Sequence, residues 1–296
     1  MAPSGASPDV SRIGFVTCAR WPALLESDAV AARALEARGV AVVPVPWNGP
    51  CPRAAALDAL VLRANWDYHF TPEAFVAWLD GVERDGRPIW NPPALVRWNL
   101  SKRYLCDLAA AGLPAVATVV LEAPDMLPSV VRERGWRSVV VKPLISASAH
   151  DTMRVDAAET AGVVTMLRTG GLRTPAVVQP FVEEITSNGE WSLVFVEGEL
   201  THAVLKRPAP GEFRVQARLG GTAEIRVPPA QVVTGAGRVL AALPERPLYA
   251  RIDGVERPDG FTVMEVEVNE PDLFFDLAPA AAERFADAIV SRLARD

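Results

Sequence analysis

The stretch Arg251–Phe275, RIDGVERPDGFTVMEVEVNEPDLFF, constrains the fold of this chain most. Arg251–Arg257 and Phe261–Asn269 are rich in β-formers and flank Pro258-Asp259-Gly260, a pattern that predicts a hairpin. Proline at the first turn position and glycine at the left-handed position suit a three-residue loop with a bulge. Such a loop pairs Arg257 with Phe261 and sets Asp253 opposite Glu265. Alternation along the second strand points Met264, Val266 and Val268 one way, and Glu265, Glu267 and Asn269 the other. Asp253, Glu265 and Glu267 gathered on one ribbon repel unless positive charge sits among them. A magnesium ion, held by few carboxylates and completed by phosphate oxygens, suits such a set. The competing reading is a solvated strand face with incidental acids. Against it, glutamate is poor in strands, and this strand is otherwise strongly apolar.

The net charge of −6 argues against a nucleic-acid or anionic-membrane surface as the main business of the 296 residues. No apolar run reaches the length of a membrane span. The N-terminal MAPSGASPDVSR is a polar tail without a signal-peptide core. Cys18, Cys51 and Cys106 are odd in number and far apart, which argues against a disulfide framework and for a reducing, cytoplasmic setting. His69, His150 and His202 are not spaced for zinc, and no G-x-S-x-G nucleophile elbow occurs.

In the first third, short strands are expected at Arg12–Cys18, Val40–Trp47, Ala59–Ala64 and Pro88–Trp90. Helices are expected over Leu24–Arg38, ending at Gly39, and from Thr71, with Thr71 as N-cap and proline in the first turn. Strand–helix alternation predicts an α/β unit with a parallel, Rossmann-like sheet, whose ligands bind beyond the carboxyl ends of its strands. Two segments match that place, Thr17–Arg20 and Arg63–Tyr68. Arg63, Trp66 and Asp67 could clamp a small zwitterion. The segment reads equally as a capped loop with tryptophan in the core.

Farther on, a helix over Leu100–Ala111 carries Lys102 in its first turn, where a cation opposes the macrodipole and calls for an anion. Lys142 ends the apolar strand Ser138–Pro143 and needs an anionic partner. The following LISASAHD, with Ser146 and Ser148, could cradle phosphate or be an ordinary loop, since it has no glycine. Strands are expected at Val177–Val182, Trp191–Val196 and Leu200–Lys206. Lys206, Arg207, Arg214 and Arg218 then precede the acidic hairpin, as cations that would neutralise charge during phosphoryl transfer. A helix over Ala278–Leu293, with Phe285, Ile289 and Leu293 on one face, closes the chain as scaffold.

The ordered set of Lys102, Lys142, a small-residue loop, the QPFVEEI hinge, Gly189-Glu190, KRPAPGEFR and the acidic hairpin resembles the ATP-grasp superfamily, in its glutathione synthetase-like branch. The resemblance implies an ATP-grasp fold, α/β at first and α+β in its C-terminal part. It further implies residues 1–95 as a substrate-side domain, 96–178 as a central subdomain and 179–296 as a C-terminal subdomain with the metal-binding hairpin. Lys102 and Lys142 would hold the α- and β-phosphates of ATP. Gln179, Phe181 and Val182 would meet the adenine, with Glu183 beside them and Glu190 on the ribose. Lys206 and Arg214 would stabilise the transferred phosphoryl group, and Asp253, Glu265 and Glu267 would bind Mg2+. The metal pair reads as Glu265/Glu267 or Glu267/Asn269, the spacing from Asp253 favouring the first. A narrower likeness, carried by RANWDYHF and MEVEVNEPDLFF, is to the cyclo-ligases that form cycloserine from O-ureido-serine. It implies a small amino-acid-like substrate gripped by Arg63, Trp66, Asp67 and Asn269, and an acyl-phosphate intermediate. An intermolecular amino-acid or peptide ligase, and a silent nucleotide-binding regulator, are the alternatives on this scaffold. Homo-oligomerisation is compatible with the sequence.

Overall fold

The computed structural model describes residues 10–50, 57–169 and 175–295. Residues 1–9 of the N-terminal tail and Cys51 lie outside the described residues. Two compact units result, one formed by residues 1–93 and 269–296 and the other by residues 94–268.

The first unit carries an all-parallel sheet of β1 (Arg12–Thr17), β2 (Ala41–Pro46), β3 (Ala59–Leu62) and β4 (Ile89–Trp90) in the order β2-β1-β3-β4. Helices α1 (Glu26–Glu36) and α2 (Pro72–Arg84) follow β1 and β3. Pro72 opens α2 as expected, but Thr71 makes no side-chain cap bond. Its backbone carbonyl instead accepts from Phe75 N. The C-terminal helix Pro279–Leu293 belongs to this unit. The reason is its apolar face. Phe285 packs on Phe15 of β1 and on Phe275, while Glu283 and Asp287 hold Arg38 just past α1.

The second unit begins with α3 (Pro93–Leu100) and α4 (Tyr104–Ala110), where a single helix was expected over Leu100–Ala111. Lys102 lies in the break, its backbone N–H donating to Leu144 O at 2.9 Å. An antiparallel sheet follows: β5 (Val119–Leu121), β6 (Ser138–Pro143), β7 (Met153–Asp156) and β8 (Ala176–Pro180), ordered β5-β8-β6-β7. Helices α5 (Met126–Arg134) and α6 (Thr160–Arg168) close its core through Leu127, Val131, Val164 and Leu167. After the short α7 (Glu184–Ser187) come β9 (Glu190–Val196), β10 (Glu199–Arg207), β11 (Thr222–Ile225), α8 (Ala230–Ala241), β12 (Tyr249–Arg257) and β13 (Gly260–Glu267). These strands form a sheet ordered β11-β10-β9-β12-β13. One face of that sheet, with Trp191, Leu193, Leu205, Ile252 and Val266, buries against Val232, Ala236 and Val239 of α8. Its other face carries the polar residues.

The hairpin pairs Asp253 with Glu265 as expected, but by another route. The turn is two residues long, setting Arg257 opposite Gly260, and the register shifts between Asp253 and Gly254. The extra residue sits mid-strand, where Met264 leaves the side shared by Val263 and Val266. It packs instead beside Val116, Val182 and Val255. Gly254 makes this possible, because a Cβ there would lie 2.5 Å from both the Phe261 ring and Thr262 O.

Candidate active site

The polar face of the second sheet is assembled from cross-strand pairs. Glu190 of β9 stands opposite Lys206 of β10, Ser192 opposite Asp253 of β12, Asp253 opposite Glu265, and Arg251 opposite Glu267 of β13. Gly189 permits the first pair. It adopts φ +85°, and a Cβ would lie 2.5 Å from Lys206 O. Lys206 Nζ ion-pairs with Glu190 and sits 3.1 Å from Asp253 Oδ2. Arg251 grips Asp253 with two nitrogens at 2.9 Å and reaches Glu267 Oε1 at 2.6 Å. Ser192 Oγ donates to Asp253 Oδ1 at 2.7 Å. Lys102 Nζ, arriving from the break between α3 and α4, donates to Glu265 Oε1 at 2.5 Å and to Ser146 O at 3.0 Å.

Charge states follow from this crowding. Burial alone would raise the Asp253 carboxyl, but Arg251 and Lys206 outweigh it and hold the group well below the usual carboxylate range. Burial likewise opposes ionisation of Glu265, yet Lys102 and Lys142 bring its pKa below the ordinary value. Burial would lower Lys206, and Asp253 and Glu190 overcome it to keep the ammonium charged. Lys142 is the exception. Burial lowers it, the field of Glu265 only partly compensating and Lys102 adding repulsion. An ammonium so placed gains most from an arriving anion.

The structure therefore brings Lys102, Lys142, Lys206, Glu190, Asp253, Glu265 and Glu267 together. Arg214 is engaged elsewhere, held bidentate by Glu212 within its own loop and so pulling that carboxyl down to about 2. Gln179 is buried and donates to Thr118 Oγ1 at 2.9 Å, and Phe181 N–H is bound to Ser138 O. The Phe181 ring lies under the Arg154 guanidinium at 3.8 Å, and Val182 packs in an apolar cluster with Val116, Ile185 and Val255. Glu183 precedes α7, exposed, with Arg154 3.6 Å away. Loop 144–151 needs no glycine to turn sharply: Ser148, Ala149 and Asp151 take positive φ near 50° themselves, and Ser148 O is anchored by Arg218. Ser146 is buried and its hydroxyl turns to Pro143 O.

Among the described residues no three His, Cys, Asp or Glu side chains are arranged to hold a metal ion. Asp253 has its two oxygens engaged by Ser192, Lys206 and Arg251, with the side chain 4% exposed. Glu265 and Glu267 remain 30% and 23% exposed on adjacent same-face positions, an all-oxygen pair that fits a hard cation.

Three contributors were not foreseen. Arg251 reads in the sequence only as the start of a strand. Tyr104 and Asn99 act as a substitute edge partner for β13. Tyr104 Oη donates to Val266 O and accepts from Val266 N–H, while Asn99 bridges Val266 O and Val268 N–H. Polar residues five apart on either side of a helix break, next to an unpaired edge strand, are the signal that could have found them.

In the first unit, Arg63 donates to Asp28 Oδ1 at 2.7 Å and to Pro271 O at 2.8 Å. Asn65 donates to Asn269 Oδ1 at 2.9 Å, and Trp66 Nε1 to Glu270 O at 2.9 Å. Together they bind segment 269–271 to the loop after β3. Asp67 faces elsewhere, its oxygens accepting from Trp47 Nε1 and Asn48 Nδ2. Arg63 and Trp66 line a cleft of about 260 Å³ with Asp28, Pro271 and Asp272.

Residues 13–91 match the family described as D-cycloserine synthetase DcsG, N-terminal domain, and residues 108–256 match the prokaryotic glutathione synthetase ATP-grasp domain. The chain belongs to the ATP-grasp superfamily and is an ATP-dependent ligase. Within that class it falls in the DcsG family: it is 31% identical to the cycloserine biosynthesis protein DcsG of Streptomyces lavendulae over 275 residues, 86% of this chain and 90% of that one. The glutathione synthetase of Parasynechococcus marenigrum is 30% identical over 221 residues, 73% of this chain and 67% of the relative. Among solved structures, a crystal structure of D-cycloserine synthetase DcsG superposes with TM-score 0.84 at 27% identity, covering 96% of this chain and all of that one. D-alanine–D-alanine ligase of Bacillus anthracis shares the fold at TM-score 0.70 and 17% identity, over 96% and 98% of the two chains.

Proposed function

We propose that this ligase closes a ring within one small amino-acid derivative, converting O-ureido-serine to cycloserine at the expense of ATP. The observation that carries the reading is one sheet face on which Lys102, Lys142 and Lys206 meet Glu190, Glu265 and Glu267, in a chain 31% identical to DcsG. Magnesium, when bound, supplies charge neutralisation at the terminal phosphates of ATP. Glu265 and Glu267 would hold it. Lys102 and Lys142 bind phosphate oxygens and Glu190 the ribose, while Gln179, Phe181, Val182 and Glu183 frame the adenine side. Asp253 orients Lys206 and Arg251 rather than ligating metal.

Lys206 steadies the charge on the phosphoryl group as it passes to the substrate carboxylate. Arg214 joins it on release from Glu212. The nitrogen bonded to oxygen within the same substrate then attacks the acyl carbon, phosphate leaves, and the five-membered ring closes. The carbamoyl group departs with water as carbon dioxide and ammonia. Attack from within the same molecule replaces a second binding event, which is where proximity contributes. The test is ADP release with Mg2+, ATP and O-ureido-serine alone. Turnover with one substrate supports ring closure. Turnover that requires a second amino compound indicates intermolecular joining, and tight ATP binding without ADP under any condition indicates a regulator.

A further inference from the structure

In the first unit the strand order β2-β1-β3-β4 places a topological switch between β1 and β3, the position at which open α/β sheets bind ligands beyond their carboxyl ends. The cleft lies there, between the start of α1, the loop after β3 and segment 271–276. It faces four carboxylates, Glu26, Asp28, Asp272 and Asp276, against one guanidinium, Arg63, whose Nε and Nη2 donate to Asp28 and Pro271 O and whose Nη1 is a further buried donor. Asp28 is the informative member. Its side chain is 2% exposed, Oδ1 accepts from Arg63, and the buried Oδ2 has no hydrogen-bond partner. A buried carboxylate oxygen without a donor is costly, and such a group in a functional cleft marks where a donor is expected. Burial, with Asp272 adding to it, raises the Asp28 carboxyl despite Arg63, and burial with Asp272 and Glu26 raises Asp276. All of this selects a compact cation with N–H donors. Trp66 has its indole N–H committed to Glu270 O, so its ring serves as a wall.

We propose that this cleft is an ammonium site in which Asp28 Oδ2 accepts a hydrogen bond from the amino group of the amino-acid-like substrate, with Glu26, Asp272 and Asp276 as its attracting field. The proposal rests on the reading that the substrate is an amino-acid derivative. It moves recognition of the amino group from Asp67, whose oxygens are committed to Trp47 and Asn48, to a residue one helix turn from the end of the β1 loop.

ADP release is measured with O-ureido-serine and with its analogue lacking the α-amino group, on wild type and Asp28→Asn, with ATP affinity measured separately. The expected result is a KM for O-ureido-serine raised about 10- to 100-fold in Asp28→Asn, the loss typical of one charge-assisted hydrogen bond. Both kcat and ATP affinity stay within about threefold, and KM for the deamino analogue does not move. Equal effects on both compounds would overturn the proposal. If wild type turns over neither compound, calorimetric binding separates the two ideas. O-ureido-serine binding that Asp28→Asn abolishes supports the site while the substrate reading of the ligase fails, and binding indifferent to the amino group overturns the site. Should Asp28→Asn not fold, Glu26→Gln with Asp272→Asn replaces it, since asparagine keeps an acceptor for Phe274 N–H. That pair should raise KM several-fold at low salt and little at high salt, and an unchanged KM would overturn the site.

Discussion

Lys206 is shared by two buried carboxylates, Glu190 and Asp253, so removing it leaves two anions facing Arg251. Lys206→Ala should therefore lose both chemistry and fold. ADP release should fall by about 10²–10³, and the melting curve should show a loss on the order of 3–5 kcal/mol for a broken buried ion pair. Glu267→Gln separates those effects, because its side chain is partly exposed while it pairs with Arg251. It should leave melting nearly unchanged while lowering turnover and raising the Mg2+ concentration for half-maximal rate. Full turnover at wild-type Mg2+ would remove Glu267 from the metal pair. Residue chemistry was legible for lysines and glutamates placed against their local context, since a cation at a helix start or an acid in an apolar strand advertises an unmet need. It was not legible for Asp28, which reads as an ordinary first-turn acid, or for Arg251, which reads as a strand end. What distinguishes them is a partner brought in by folding, Arg63 for one and, across the hairpin, Glu267 for the other.

At the scale of elements, β13 is an edge strand that must present Glu265 and Glu267 without sliding. Residues 114–116 cover its bulge, with Val263 N–H on Pro114 O and Val116 N–H on Val263 O, and Tyr104 with Asn99 pins Val266 between the two glutamates. Tyr104→Phe should cost about 1–3 kcal/mol by leaving buried backbone groups unpaired. It should also weaken Mg2+ dependence more than ATP affinity, as read by separate titrations. The loop 212–214 supplies a pH test. Glu212 falls from 4.5 to about 2 beside Arg214, so its contribution is present above the unfolded value and lost as pH drops from about 4.5 through about 2. Proteolysis or hydrogen exchange at 212–216 should rise over that interval, whereas Glu212→Gln should abolish the pH dependence. The hairpin shows how an element can be read correctly for an incomplete reason. The Asp253–Glu265 pairing holds, but a two-residue turn compensated by a mid-strand bulge sets it, and that bulge depends on Gly254 meeting Phe261.

Across the molecule, ligands that bind only the folded chain must stabilise it. MgATP at about a hundred times its Kd should add roughly 2.7 kcal/mol, visible as a rise in melting temperature. Lys142→Ala should reduce that rise, because the lowered pKa of Lys142 marks an ammonium waiting for an anion. No helix among the described residues is long and apolar enough to cross a membrane. The strand–helix alternation of the first unit, its parallel sheet, the two lysines and the acidic ribbon were all determined by the sequence, because each rests on periodicity or on a charge set against nearby neighbours. Three things waited for the tertiary structure. These are the return of residues 269–296 to the first unit, the engagement of Asp253 by cations, and the meeting of Asp28 with Arg63 in the cleft. Each depends on which distant groups share a buried space, and burial strengthens electrostatics only once the chain has closed around them.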